Sequence, residues 1–319
     1  MKTAETRKRV CEIDYLKGML ILLMVTFHLV YIEDLYPYAK QVVYTFHMPC
    51  FLFFSGYLMN MRKDRKGFLR TLGFLLIPYT IMESGYILMA SILPIREGID
   101  DLAALVFIDK LLLHPIGPYW YLQTMAICGL LYYIALQYLH VTHLSRIIIL
   151  GISLYYLALF TGAVSFVNCM YFLAGAILRQ SKVSFLELFQ QSGFSVIAFL
   201  LLIMTPSNLT AETVGSVLIV FFFVSSARSS FHYVPTAVRT TLEYIGQNTL
   251  PVFLFSPVFT FMCKAMVPFF QFDSSGLLFL VISLIICVSG SLIIGMLIDT
   301  TGMSPYLIGR TFVIKKSPR

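Results

Sequence analysis

Charge is what this sequence has least of. Only 12% of its 319 residues are Asp, Glu, Lys or Arg, whereas 58% are hydrophobic. Soluble domains carry about 25% charged and about 45–50% apolar residues, so a surface of this size could not be solvated by so few charges. That excludes a soluble enzyme or binding module. Polar sequence long enough to fold apart is also missing, because apolar runs recur from residue 18 to residue 298 with short breaks. The expectation is one all-α domain, residues 1–319, polytopic in a cell membrane (a bacterial inner membrane or a plasma membrane). Cysteine is sparse and scattered. Cys11, Cys50, Cys128, Cys169, Cys263 and Cys287 form no C-x-x-C pair and no Cys/His cluster, which leaves no argument for a disulfide framework or a bound metal. No internal repeat is visible, which argues against a transporter assembled from paired halves.

What is present is a series of apolar runs near 15–33, 42–61, 70–93, 117–138, 145–162, 165–180, 192–206, 211–227, 246–269 and 276–299. A membrane-crossing helix needs about 20 residues, so these are ten expected spans. The amino terminus is basic up to Lys17, as in a signal peptide. The apolar run behind it exceeds the ~7–15 residues of a signal core and meets no small-residue cleavage site, so a retained first span is expected. With the amino terminus in the cytoplasm, all but four of the 23 Lys and Arg fall in inside segments, the exceptions being Lys40, Arg96, Lys110 and Lys264. That asymmetry sets both termini in the cytoplasm. The net charge of +7 then reads as topology and contact with anionic membrane lipids, not as nucleic-acid binding.

The first span holds three groups that a lipid-facing helix avoids: Asp14, Lys17 and His28. Lys17 and His28 are eleven residues apart. At ~100° per residue they fall within roughly 20° of three full turns, on one stripe about 16 Å long, with Asp14 roughly 40° away. Ionisable groups at such depth normally face a protein interior or a wet cavity. The plainer reading has Lys17 snorkelling, Asp14 capping the helix and His28 hydrogen-bonded in a core.

Further along, Thr-Phe-His-Met-Pro-Cys-Phe-Leu-Phe-Phe-Ser-Gly-Tyr-Leu opens the second span. Its His47 and Pro49 are expected at the outer end, with proline in the first helical turn. His47 is either an interfacial polar group or a partner of His28. Ser55 and Gly56 suit close helix packing, as do Ala174, Gly175 and Ala176. Arg62 to Arg70 is the strongest basic cluster. It fits lipid phosphates as a topology signal, or a phosphate-rich ligand such as a nucleotide or coenzyme A. Glu83, mid-span, must be paired, protonated or in a wet cavity, and both proton exchange and a structural hydrogen bond remain open. Residues 94–116 form the longest outer loop and suit an amphipathic surface helix. Trp120, the only tryptophan, and Tyr121 follow Gly-Pro-Tyr, either as an interfacial anchor or as a stacking platform for a sugar ring. Asn168 opens the sixth span, and Gln247-Asn248-Thr249 gives the ninth a polar start. Asp299 is expected near the inner end of the last span, at a lipid boundary.

Taken together, these pieces resemble the acyltransferase-3 family of integral-membrane O-acyltransferases. The matching residues are Ile13-Asp14, Leu16-Lys17-Gly18 and His28; Phe46-His47-Met48-Pro49 through Ser55-Gly56-Tyr57-Leu58; Arg65, Lys66 and Arg70 before Pro78; Trp120-Tyr121-Leu122; and Gly246-Gln247-Asn248-Thr249-Leu250. Gly73 and Ser256 depart from the family pattern, which often has arginine and histidine there. The resemblance implies ten spans and transfer of an acetyl or similar group from acetyl-CoA to a sugar hydroxyl, often on a surface polysaccharide, without a metal. It implies that His28 acts as general base or as the group that carries or orients the acyl unit, with Asp14 and Lys17 holding the charge pattern below it. Arg65, Lys66 and Arg70 would bind coenzyme A phosphates. Beside what the resemblance implies, the residues themselves are read as placing His47, Trp120, Tyr121 and Asn168 at the glycan acceptor and Glu83 in the proton-handling set. The partners expected are membrane lipids, acyl-CoA and a glycan, with a homodimer allowed. The alternatives are a proton-coupled carrier or flippase of a lipid-linked glycan, with His28 and Glu83 as relay, and an N-acyl or succinyl transferase of the same fold.

Overall fold

A computed structural model describes residues 10–93, 98–210 and 212–315. The basic amino terminus up to Arg9, and the charges of Arg96, Lys316 and Arg319, lie outside the described residues. Among the described residues every regular element is helical. In chain order these are α1 (Cys11–Thr26), α2 (Val30–Leu35), α3 (Pro37–Leu58), α4 (Arg65–Ala90), α5 (Ala104–Leu112), α6 (Trp120–Tyr138), α7 (His143–Thr161), α8 (Phe166–Gln180), α9 (Phe185–Leu188), α10 (Gly193–Ile203), α11 (Val214–Ser230), α12 (Thr236–Gln247), α13 (Thr249–Lys264), α14 (Leu277–Thr300) and α15 (Ser304–Leu307). Short 3₁₀ turns at Gly117–Tyr119, Pro206–Leu209 and Val267–Phe270 join some of them.

By length and composition α4, α7 and α14 could each cross a membrane, and α10, α11 and α13 are shorter apolar helices. The outward faces explain the shortage of charge. On α7 only Leu150 and Leu154 are buried, while Leu144, Ile148, Ile152, Tyr155, Tyr156 and Leu159 are exposed. Inside a bilayer a helix already satisfies its own backbone, so such an apolar exterior carries no penalty. The amphipathic helix expected in the outer loop is present as α5, with Leu105, Ile108 and Leu112 exposed.

Two expectations about helix boundaries are corrected. The first span is not one helix over 15–33, because it breaks at Phe27–Leu29 between α1 and α2. Around this break two carbonyls take side-chain donors: Met24 O accepts from His28 Nδ1 at 2.7 Å as well as from the His28 backbone N–H at 3.2 Å, and Phe27 O accepts from Tyr44 Oη at 3.0 Å. Pro49 is not in a first turn either. α3 begins at Pro37, which takes that position, so His47 and Pro49 lie within the helix. One element was not anticipated: α12 precedes the polar start of α13, and Asn248 separates the two.

The chain divides into two compact units. The first comprises residues up to His47, Phe189–Leu292 and the tail from Lys315, and the second comprises Met48–Leu188 and Ile293–Ile314. In lipid no hydrophobic force draws helices together, so association depends on close packing and hydrogen bonds. Each unit contains a crossing that only glycine permits. In the first, α1 lies on α12: a Cβ on Gly18 would stand 2.1 Å from Leu242 O, and one on Gly246 would stand 1.7 Å from Asp14 O. In the second, α3 lies on α8: a Cβ on Gly56 would meet Phe172 O at 1.9 Å, and one on Gly175 would meet Phe53 O at 1.9 Å. Gly56, Gly175 and Ala176 thus serve packing, as expected, whereas Ala174 is exposed and Ser55 spends its hydroxyl on hydrogen bonds. Stacked rings fill in around these crossings, Phe46 on Phe223 at 3.9 Å in the first unit and Phe68 on Tyr133 at 3.8 Å in the second.

Two polar side chains hold the tail. In the first unit Asn248, fully buried, accepts from Lys315 N at 2.7 Å and donates to Lys315 O at 3.3 Å. In the second unit Asp299 accepts from Val313 N at 2.7 Å, Ile314 N at 2.9 Å and Ser304 Oγ at 2.5 Å. Asp299 is therefore a backbone clasp, where a lipid-boundary charge was expected.

Gly246→Ala and Gly175→Ala should each lower the thermal midpoint in detergent sharply, at a cost of about 1–3 kcal/mol or more. Gly151→Ala, where nothing lies within 4 Å of the new Cβ, should be neutral or stabilising by up to about 1 kcal/mol. Equal midpoints for all three variants would contradict the crossings.

Candidate active site

His28 follows the last turn of α1, just past its C-terminus. Its Nδ1 lies 2.7 Å from Met24 O, four residues back. His47, in α3, makes the same contact with Val43 O at 2.8 Å. A carbonyl oxygen can only accept, so Nδ1 carries the hydrogen on both rings. In the neutral imidazole Nε2 is then the unprotonated nitrogen, the form that takes a proton. The two rings flank Tyr44, with centroids 6.3 Å (His28) and 5.1 Å (His47) from it. Tyr44 is itself fixed by its hydroxyl bond to Phe27 O. The Lys40 ammonium sits 5.3 Å from the Tyr44 ring centroid and pairs with the buried Glu33. His47 is buried, whereas His28 is half-buried between the buried Phe27 and Leu29, which leaves the His28 ring the more reachable base.

Toward the other end of α1, Lys17 Nζ lies 3.3 Å from Asp14 Oδ1, and each side chain is 15% exposed. The pair sits at the α1–α12 crossing, where Gly246 packs on the Asp14 carbonyl. Asp14, Lys17, His28 and His47 therefore all belong to the first unit. Tyr44, Lys40 and Glu33 are the members of this cluster that sequence reasoning missed. The spacing Tyr-x-x-His in 44–47, one turn of helix, is the signal that could have found Tyr44.

The remaining candidates belong to the second unit. Arg65, Lys66 and Arg70 stand exposed on the first turns of α4. Glu83 is fully buried in α4, and its Oε1 accepts the backbone N–H of Ile116 at 2.7 Å. Two neighbours hold the same connection between α5 and α6. Tyr79 Oη donates to Leu111 O at 2.6 Å and Gln123 Nε2 donates to Leu112 O at 2.7 Å. These three side chains fasten a loop that would otherwise bring unsatisfied backbone groups into an apolar setting. Tyr121 spends its hydroxyl on Ser55 Oγ at 2.5 Å, while Trp120 is half-buried and meets Tyr121 edge-on. Asn168 lies half-buried in the first turn of α8, where its backbone N–H meets the capping Ser165 Oγ at 3.5 Å.

The acyltransferase-3 family model, described as an acyltransferase domain, matches residues 12–296. That stretch contains every candidate residue from Asp14 to Asn168. No curated protein and no solved structure matches the chain.

The geometry at Glu83 separates its two readings. Glu83→Gln keeps an oxygen for Ile116 N–H and should leave thermal stability nearly unchanged. Glu83→Leu strands that donor and should cost about 1–3 kcal/mol, with faster proteolysis between residues 111 and 117. Equal stability of the Leu and Gln variants would remove the anchoring role.

Proposed function

Starting from the family to which the chain belongs, that of the acyltransferase-3 membrane acyltransferases, we propose that it moves an acetyl group from acetyl-CoA to a hydroxyl of a cell-surface or lipid-linked glycan. The observation that carries this reading is the 2.7 Å bond from His28 Nδ1 to Met24 O, which leaves Nε2 as a proton acceptor on a reachable ring. An alcohol is a poor nucleophile at neutral pH and needs a base within hydrogen-bond reach. His28 Nε2 removes the hydroxyl proton as the alcohol oxygen attacks the thioester carbonyl. The C–O bond forms, the C–S bond breaks, and the departing thiolate takes the proton back from the imidazolium. His47, held in the same tautomer, supplies a second acceptor for a sugar hydroxyl. Asp14 and Lys17 keep opposite charges paired at the inner end of α1, where an uncompensated charge would be costly.

Donor binding falls to Arg65, Lys66 and Arg70, which are exposed and free of ion pairs among the described residues. Their cations suit the phosphates of coenzyme A. Trp120, Tyr121 and Asn168 are assigned to the acceptor, with the Trp120 ring as the stacking surface. Glu83 is assigned to holding Ile116 and not to the proton path. The chain crosses the membrane ten times, with both termini in the cytoplasm, which sets the basic start of α4 on the side where acetyl-CoA is made.

His28→Ala should reduce thioester cleavage of acetyl-CoA by about 10²–10⁴-fold, measured as free thiol released by purified protein, while the thermal midpoint stays within a few degrees. His47→Ala should leave a larger residual rate. Undiminished cleavage by His28→Ala would remove the proposed base. Movement of a glycan across the bilayer with no thioester cleavage would favour a carrier.

A further inference from the structure

Within the second unit the chain turns back after α15 and lies against α4. Gly309 makes the turn with φ +73°, and a Cβ there would stand 3.2 Å from both Phe74 and Ile77 and 3.4 Å from Gly73 O. The next residue, Arg310, is thereby laid on α4, its guanidinium carbon 5.1 Å from the centroid of the Phe74 ring. Its Nε is shut off from solvent and has no hydrogen-bond partner among the described residues. The residue makes no ion pair there either. Asp299, the nearest acidic residue along this stretch of chain, is engaged with Ser304, Val313 and Ile314. Those bonds fasten the loop on both sides of Arg310. Burial pulls the guanidinium pKa down from its ordinary value, yet an arginine remains charged at neutral pH.

A cation partly withdrawn from water, as here at its Nε, is costly unless something anionic completes it. Here it is kept on a pinned loop, over an aromatic face that suits a guanidinium. Lys66, Arg70 and Phe74 follow one another at four-residue spacing on α4, one row about 6 Å per step. Arg310, stacked on Phe74, lengthens the row of cations by one turn. Arg70 and Lys66 make no ion pair among the described residues, and the first turn of α4 holds no acidic residue. Three cations in a row suit a ligand with more than one phosphate charge better than a single carboxylate, and the guanidinium fork matches phosphate oxygens.

We propose that Arg310, carried in from the tail, joins Arg70 and Lys66 as a binding site for a phosphate-bearing ligand, so that the tail completes an anion site begun by α4. A diphosphate of coenzyme A and the headgroup of an anionic phospholipid share the required chemistry. The coenzyme A source rests on the transferase reading given above, whereas the lipid source does not.

The test uses the full-length protein in neutral detergent, with Arg310→Gln, Arg310→Lys and Phe74→Leu, each checked for an unchanged thermal midpoint. Coenzyme A is titrated with and without inorganic pyrophosphate as competitor. In parallel, retention of phosphatidylglycerol against phosphatidylcholine is measured in mixed micelles. Arg310→Gln should weaken one of the two by about tenfold to hundredfold, the span expected for a charged hydrogen bond. Arg310→Lys should recover part of the loss. Loss confined to coenzyme A, with pyrophosphate competing, identifies the donor as the ligand. Loss confined to phosphatidylglycerol identifies the lipid. If the unsubstituted protein binds no coenzyme A, the transferase reading fails while the lipid arm still judges Arg310. Unchanged affinity for both ligands in folded Arg310→Gln and Arg310→Lys would overturn the proposal.

Discussion

A single hydrogen bond, from His28 Nδ1 to Met24 O, connects the fold of this protein to its chemistry. Met24 O takes two hydrogens from the same residue, the backbone N–H of His28 at 3.2 Å and its ring at 2.7 Å, which ties the imidazole to its own turn. The ring that donates to it carries its hydrogen on Nδ1, which leaves Nε2 the unprotonated nitrogen of the neutral imidazole. The same arrangement recurs at His47 within α3, and Tyr44 separates the two rings while closing off Phe27 O.

The rest of the molecule follows from having few charges and no hydrophobic force between helices. Backbone contact replaces side-chain interdigitation where α1 meets α12 in the first unit and where α3 meets α8 in the second. Buried polar side chains are spent on backbone groups that regular structure leaves over. Glu83 serves Ile116, Asn248 serves Lys315, and Asp299 serves Val313 and Ile314. Each would read as a functional ionisable or polar group by position alone. Their partners are backbone groups, and each such bond holds a loop or the tail of an apolar protein in place.

Much of the all-helical architecture was legible in the sequence, because period, length and charge shortage are collective signals. The amphipathic α5 and the small-residue packing at Gly56 and Gly175 were visible for the same reason. The break after Thr26 was not legible, since the Phe27 carbonyl is taken by Tyr44 from α3, which is a tertiary event. Pro49 misled because a proline looks like a helix start, yet Pro37 already filled that role. α12 is short and polar on one face, so a search for apolar runs passed over it. At the site, Asp14, Lys17 and His28 stood out as charges in an apolar run. Tyr44 did not, because it resembles any aromatic until the fold supplies its neighbours.

The account is tested most directly by the tautomer of His28. Nitrogen-15 spectra of histidine-labelled protein, at a pH where the ring is neutral, should show the proton on Nδ1 and an unprotonated Nε2. Asn substituted for His28 identifies the signal by its disappearance. A neutral His28 ring protonated on Nε2 would contradict the bond to Met24 O and leave the proposed base without its lone pair.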